Sequence, residues 1–282
     1  MGTRSVVQVV KQRRVASDYD RRRFDVEAAA NQLLAKHVSG VAPALRAVDS
    51  ERLSLVFDLV PGGVLAPASF VPDMVDDDVA ALVTLAAGLE SLLGPLTPLP
   101  DTHALTVPVE WLGQPRSLLP EPLARLVLDG AVARALAHGD LFPSNVMRGP
   151  GGLVPVDWQW CGLYPPGWDL ASVVVATLFH PTAVDAATNW CGQHPTRQQI
   201  GFVVGLAVLC IREAAGRFTR PPQQVSELLA TRGRLLHMWA SQLLAEPPTG
   251  CLDLSTLATS DEEAALAARA LAGLASSKEH TG

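Results

Sequence analysis

Three oxygen-bearing side chains in the middle of the sequence have the types and spacing for metal-assisted chemistry on an anion. Asp140 and Asn145 stand five residues apart in His138-Gly139-Asp140-Leu141-Phe142-Pro143-Ser144-Asn145. Pro143 lies between them, so a loop and not a regular helix must hold the pair. Asp157 follows the apolar run Leu153 to Val156, itself preceded by a Gly149-Pro150-Gly151-Gly152 turn. This hairpin-like layout puts a carboxylate and an amide on one arm and a carboxylate at the end of the other. Such donors can converge on one hard cation. Magnesium suits them, because it takes oxygen ligands and shares them with substrate phosphates. A carboxylate left off the metal can orient an attacking hydroxyl or accept its proton. Taken singly, each residue is as easily a loop residue capping a turn. The ordered set is more specific, since His-x-Asp-x-x-x-x-Asn with an Asp on the next strand matches the phosphotransfer catalytic-loop pattern.

With Val156-Asp157-Trp158 and Asp169-Leu170-Ala171, this segment resembles the aminoglycoside phosphotransferase and choline kinase group of protein-kinase-like enzymes. The resemblance implies ATP and Mg2+ as cofactors. It implies Asp140 as catalytic base, Asn145 and Asp157 as magnesium ligands, and Asp169 and His138 as structural supports of the loop. Kinases of this kind also need a strand lysine on the ATP phosphates and a helix glutamate to hold it. Lys11 ends the first predicted strand, and Glu27 follows sixteen residues later on the next helix. The alternatives are a strand end reaching solvent and a solvated helix face. Asp58-Leu59-Val60 takes the hinge position, where the backbone of Asp58 and Val60 would bond the adenine edge.

The family's usual glycine-rich loop has no counterpart in the ten residues before Lys11. A reduced N-lobe is therefore expected, and three readings follow. The chain is an active kinase whose phosphates are held by magnesium and arginines. Or a protein partner covers the site, pairing with the open edge of the first strand. Or the chain is a non-catalytic pseudokinase or scaffold, which the intact Asp140, Asn145 and Asp157 weigh against. The resemblance also suggests a partnered analogue: bacterial natural-product pathways in which a kinase-like protein phosphorylates peptide Ser or Thr for a lyase partner. The basic segment Arg13 to Arg23 bears on the choice. It could neutralise phosphate, dock an acidic partner, or be a solvated helix entry.

The elements that must position these residues point to an α+β, two-lobed protein-kinase-like fold. The expected small β-rich N-lobe spans residues 1–60, the large helical C-lobe 61–275, and a disordered tail 276–282. Ser5 to Lys11 reads as a strand. Asp20 to Lys36 reads as a helix, with Phe24, Ala28, Asn31 and Ala35 on one face. A hairpin follows, with Ala47-Val48, a turn at Asp49 to Glu51, and Leu53 to Leu59. Pro61-Gly62-Gly63 ends it. A helix opens at Asp76-Asp77-Asp78 and runs to Gly94-Pro95, and a proline-rich connector continues to about Pro122. Further helices are predicted at about 196–217 and 223–244. Ser260-Asp261-Glu262-Glu263 opens a last one that ends near Ala275.

Composition narrows the classes. The chain has 282 residues, 48% hydrophobic and 18% charged, enough for a sizeable core. Its net charge of −6 argues against a general nucleic-acid binder. Residues 1–23 carry seven basic side chains against Asp18 and Asp20, a net +5, which leaves −11 elsewhere. Arginine and alanine dominate over lysine, suggesting a GC-rich bacterial coding sequence. Four scattered cysteines are no disulfide framework and fit a reduced cytoplasm, and Cys191 with His194 lacks the second pair a zinc site needs. The apolar run Ile200 to Ile211 is too short for a membrane span and predicts a buried helix, and Val6 to Val10 is too short for a signal peptide. The candidate acceptor is a small molecule or a peptide. Asp73, Asp76, Asp77, Asp78, Asp253, Asp261, Glu262 and Glu263 could line a pocket for a polycation, though helix starts explain them better. Trp158, Trp160, Tyr164 and Trp168 could stack on a substrate ring, but core packing is the default.

Overall fold

A computed structural model describes residues 8–13, 17–38, 40–97, 134–216, 221–246 and 250–279. The front of the molecule is a three-stranded antiparallel sheet. Strand β1 (Gln8–Gln12) pairs with β3 (Ser54–Asp58), which lies between it and β2 (Leu45–Asp49). Lys11 stands opposite Leu55 in this register. Helix α1 (Asp18–His37) joins β1 to β2. Ser17 caps it by accepting the Asp20 N–H, and the acids Asp18 and Asp20 in its first turn suit the positive end of the helix dipole. Phe24 and Ala28 pack on Leu53 and Leu55 to form a small core under the sheet. The helix begins two residues earlier than the sequence predicts, and Ala35 is exposed, not buried.

The rear is larger and mostly helical. Helix α2 (Asp76–Leu93) buries Val79, Leu82, Ala86, Leu89 and Leu93. Two short ladders follow: β4 (Ala135–Ala137) with β7 (Gly162–Tyr164), and between them in sequence the hairpin β5 (Val146–Gly149) with β6 (Gly152–Pro155). Helices α3 (Trp168–Ala176), α4 (Pro181–Gln193), α5 (Thr196–Ala214), α6 (Gln223–Ala245) and α7 (Asp261–Glu279) complete it. The apolar run in α5 is a core helix, buried at every position from Gln199 to Cys210. A reciprocal capping box opens α7: Glu263 N–H reaches Ser260 Oγ, and Ser260 N–H reaches Glu263 Oε2. The helix continues to Glu279, past the expected end at Ala275. The expected proline-rich connector lies outside the described residues.

Helix α2 and the turn after it (Asp76–Leu96) are long and apolar enough to cross a membrane. The buried leucines of α2 pack into the rear core. All four cysteines are free thiols, three of them buried. His194 stacks on Trp190 at 3.8 Å and bonds its carbonyl, so its role beside Cys191 is packing.

Candidate active site

The catalytic-loop segment leaves β4 at His138 and turns at Gly139, whose φ of +87° is open to glycine and strained for other residues. The loop is pinned from below. Asp169, in the first turn of α3, accepts the N–H groups of His138 (2.9 Å) and Gly139 (3.0 Å) on its two oxygens. Burial still raises its carboxyl to about 6, against the pull of those two bonds. Trp168 donates its indole N–H to the Gly139 carbonyl at 3.1 Å. A Cβ on Gly139 would stand 2.1 Å from the Trp160 carbonyl oxygen, so the close approach also requires glycine.

His138 is wholly buried. Its Nδ1 accepts the Asp140 N–H (3.3 Å), which leaves Nε2 to donate to the Val156 carbonyl (3.0 Å). Burial holds it down to about 4, so it is neutral and tethers the two arms of the loop. A second tether runs from Val156 N–H to the Asn145 carbonyl at 2.9 Å.

Asp140 and Asn145 meet at the top of the loop. Pro143–Asn145 forms one short turn, and the Asn145 amide nitrogen donates both to the Asp140 carbonyl and to Asp140 Oδ2, each at 2.9 Å. Its side-chain oxygen is thereby left for another partner. The other oxygen of Asp140 faces Arg212, with Nη2 at 3.6 Å. Arg212 bonds Glu213 at 2.6 Å, and both are buried near the end of α5. Burial raises the Asp140 carboxyl to about 7, with Arg212 opposing the rise. Sequence reasoning missed Arg212 and Glu213. Their signal was a charged pair ending an apolar run where solvated charges are the ordinary expectation.

Asp157 sits in left-handed backbone (φ 65°, ψ 58°), a conformation Asp tolerates better than most residues and one that costs about 1–3 kcal/mol. That turn aims its carboxylate forward, where Oδ1 meets Lys11 Nζ at 2.7 Å. Lys11 also bonds Glu27 Oε1 at 2.7 Å. Glu27 is 1% exposed, and burial raises its carboxyl while Lys11 pulls it down. The expected lysine–glutamate pair thus forms, and the same ammonium bridges to the loop of the rear lobe.

These groups border a cavity of about 350 Å³, lined by Lys11, Glu27, Asp58, Val60, Asp157 and Trp158 among others. Asp58 lies at the end of β3. Its carboxylate is bound by Arg46 and its N–H is given to Ala44 O, so its side chain is not offered to the cavity. Among the described residues, no three His, Cys, Asp or Glu side chains gather as a metal cage. One carboxylate, Asp157, and one amide oxygen, Asn145, are donors of the kind a hard ion such as Mg2+ takes, so their chemistry fits that ion.

Several of the other candidates have structural partners. Trp158, Trp160, Tyr164 and Trp168 are all buried. Asp78 pairs with Arg148, Asp76 bonds Thr182, and Asp253 caps Ser255.

A family model described as the phosphotransferase enzyme family matches residues 4–202. Similar solved structures include choline kinase LicA from Streptococcus pneumoniae, 15% identical over 86% of this chain and 88% of that one, with a TM-score of 0.47. A choline/ethanolamine kinase family protein from Mesorhizobium loti is 15% identical over 86% and 84%, with a TM-score of 0.49. Macrolide 2'-phosphotransferase MphH from Brachybacterium faecium is 18% identical over 86% and 85%, with a TM-score of 0.46. No curated protein matches the sequence closely enough to count as a relative.

Proposed function

Because the chain belongs to the phosphotransferase enzyme family, we propose that it moves the γ-phosphoryl group of ATP, with magnesium, onto a hydroxyl acceptor. In the α+β, two-lobed protein-kinase-like fold, the adenine would enter the apolar part of the cavity, against the hinge backbone at Asp58 and Val60. The observation that carries the reading is the pair of hydrogen bonds from the Asn145 amide to Asp140, in a loop tethered through Val156 to the arm whose Asp157 meets Lys11 at the cavity wall. It leaves the Asn145 side-chain oxygen, which with the Asp157 carboxylate would hold a metal, while the Asp140 carboxylate would take the proton.

Asn145 and Asp157 would hold the ion, which when bound neutralises phosphate charge and aligns the β and γ oxygens. Lys11, gripped by Glu27, neutralises the phosphate tail. Asp140 orients the acceptor hydroxyl and takes its proton as the new O–P bond forms. The bond from γ-phosphorus to the bridging oxygen breaks, and ADP carries that electron pair away. Most of the acceleration in such a reaction comes from placement and charge complementarity, which the tethered loop supplies.

The acceptor is an antibiotic-like small molecule or peptide Ser/Thr in natural-product biosynthesis. For the peptide version a lyase-like partner would pair with β1, an edge strand among the described residues, where Val9 and Val10 are 43% and 62% exposed. ATP as donor and free thiols suit the cytoplasm.

The test is transfer of label from γ-labelled ATP, with Mg2+, to aminoglycoside, macrolide, choline and Ser/Thr peptide acceptors. At least one acceptor class should be labelled by the wild type and none by Asp140→Asn. Labelling that survives Asp140→Asn, or ATP left intact with every acceptor alone and with a lyase partner, would defeat the reading.

A further inference from the structure

Two arginines that the reaction above leaves unassigned cluster around Glu27, a residue of the cavity wall. Arg13 follows Lys11 by two residues and brings Nη2 within 3.6 Å of Glu27 Oε2. Arg23 lies on α1, one turn before Glu27. Its guanidinium carbon is 4.5 Å from the ring centre of Trp160 and 5.6 Å from that of Tyr19. In both arginines Nε is buried without a hydrogen-bond partner, and so is Glu27 Oε2. A buried donor left without an acceptor carries a desolvation penalty. Two guanidinium groups brought near each other add repulsion. Arg23 accordingly lies below the ordinary arginine range, through burial first and then Arg13, while Asp157 and Asp140 oppose the shift.

What would satisfy both donors is an anion with several acceptor oxygens, within reach of Lys11. The guanidinium fork matches phosphate oxygens in pairs. The cavity wall nearby is apolar, with Val9, Val10 and Phe57, so the anion should be joined to a flat, largely apolar body. A nucleoside triphosphate meets each condition.

We propose that Arg13 and Arg23, together with Lys11, form a three-cation cradle for the phosphate tail of the nucleotide. Arg13 sits beside the Lys11–Glu27 pair and takes the α and β phosphates. Arg23 lies toward Asp157 and Asp140 and takes the γ-phosphate. The cradle rests on the nucleotide-dependent transfer proposed above.

Calorimetric titration of the full chain with MgATP, MgADP and adenosine tests it. Arg23→Gln should weaken MgATP tenfold or more, MgADP less, and adenosine less than twofold. Arg13→Gln should weaken MgATP and MgADP alike and spare adenosine. Arg23→Lys, which keeps the charge and loses the fork, should recover part of the loss. Unchanged MgATP affinity in the Arg13→Gln/Arg23→Gln double variant overturns the cradle and leaves the transfer reaction standing. So does an equal loss of adenosine and MgATP affinity, which would mean the arginines support the cavity and not the phosphates. A wild-type chain that binds neither MgATP nor adenosine overturns both proposals.

Discussion

The role proposed for Asp140 makes two demands that pull against each other: it must be buried enough to bind a proton and accessible enough to receive one. Burial lifts its carboxyl from the ordinary 3.8 to about 7. The native state therefore holds a proton between pH 4 and 7 that the unfolded chain has released, and this group's contribution to stability falls as pH rises through that window. In metal-free protein, Asp140→Asn should raise stability at pH 8 by roughly 1–4 kcal/mol, the upper figure corresponding to about a thousandfold difference in proton affinity between folded and unfolded chain. At pH 4 the gain should vanish, which denaturant melts at the two pH values would show. Removing the opposing cation, as in Arg212→Gln, should push the Asp140 titration to higher pH, readable by NMR of the carboxyl carbon. Gly139→Ala combines positive φ with a 2.1 Å clash against backbone. It should cost about 2–4 kcal/mol in thermal or urea melts and abolish transfer. At this scale the sequence was informative wherever a contact follows from spacing along one segment, as for the Asn145 bonds to Asp140. The Arg212 contact with Asp140 joins residues 72 apart, and no local pattern announces it.

Most of the long helices were legible, the buried α5 among them through its apolar run, whereas the two-faced α4 and the short elements were not. Helices α1, α2, α6 and α7 carry periodic apolar positions, caps or charged first turns, and their positions agree with expectation within a few residues. Helix α3 is buried at all nine positions from Trp168 to Ala176, so it has no period to read. Strands β4 and β7 have three residues each and exist through tertiary pairing. The contact between α5 and α6 depends on Gly233, where an added Cβ would meet Ile211 at 3.0 Å and Cys210 at 3.2 Å. Gly233→Val should overpack this seam and lower stability by about 1–3 kcal/mol. Gly88 on the exposed side of α2 has nothing within 4 Å, and Gly88→Ala should raise stability by about 0.5–1 kcal/mol. Equal melts for the two variants would contradict this packing.

Across the whole molecule, a small sheet core and a large helical core meet where α1 rests on the Trp158–Trp160 turn. The Lys11–Asp157 bond spans the same junction. A nucleotide bound there should tie the two together, and ligand linkage gives about 2.7 kcal/mol of added stability at a hundredfold excess over Kd. Thermal melts should shift upward with MgATP, and chelation of the metal should remove most of the shift. The two-lobed arrangement was readable because a strand-rich stretch precedes a helix-rich one. The crossing contacts were not, since Arg23 over Trp160 pairs residues 137 apart.

The stacking of Arg23 on Trp160 also makes the indole an optical probe of the cleft. A guanidinium 4.5 Å from the ring perturbs its excited state, so displacement of that side chain by an incoming anion should alter the emission. Difference spectra against Trp160→Phe would isolate this signal from the other five tryptophans, and stopped-flow recording would time the arrival of nucleotide without any label.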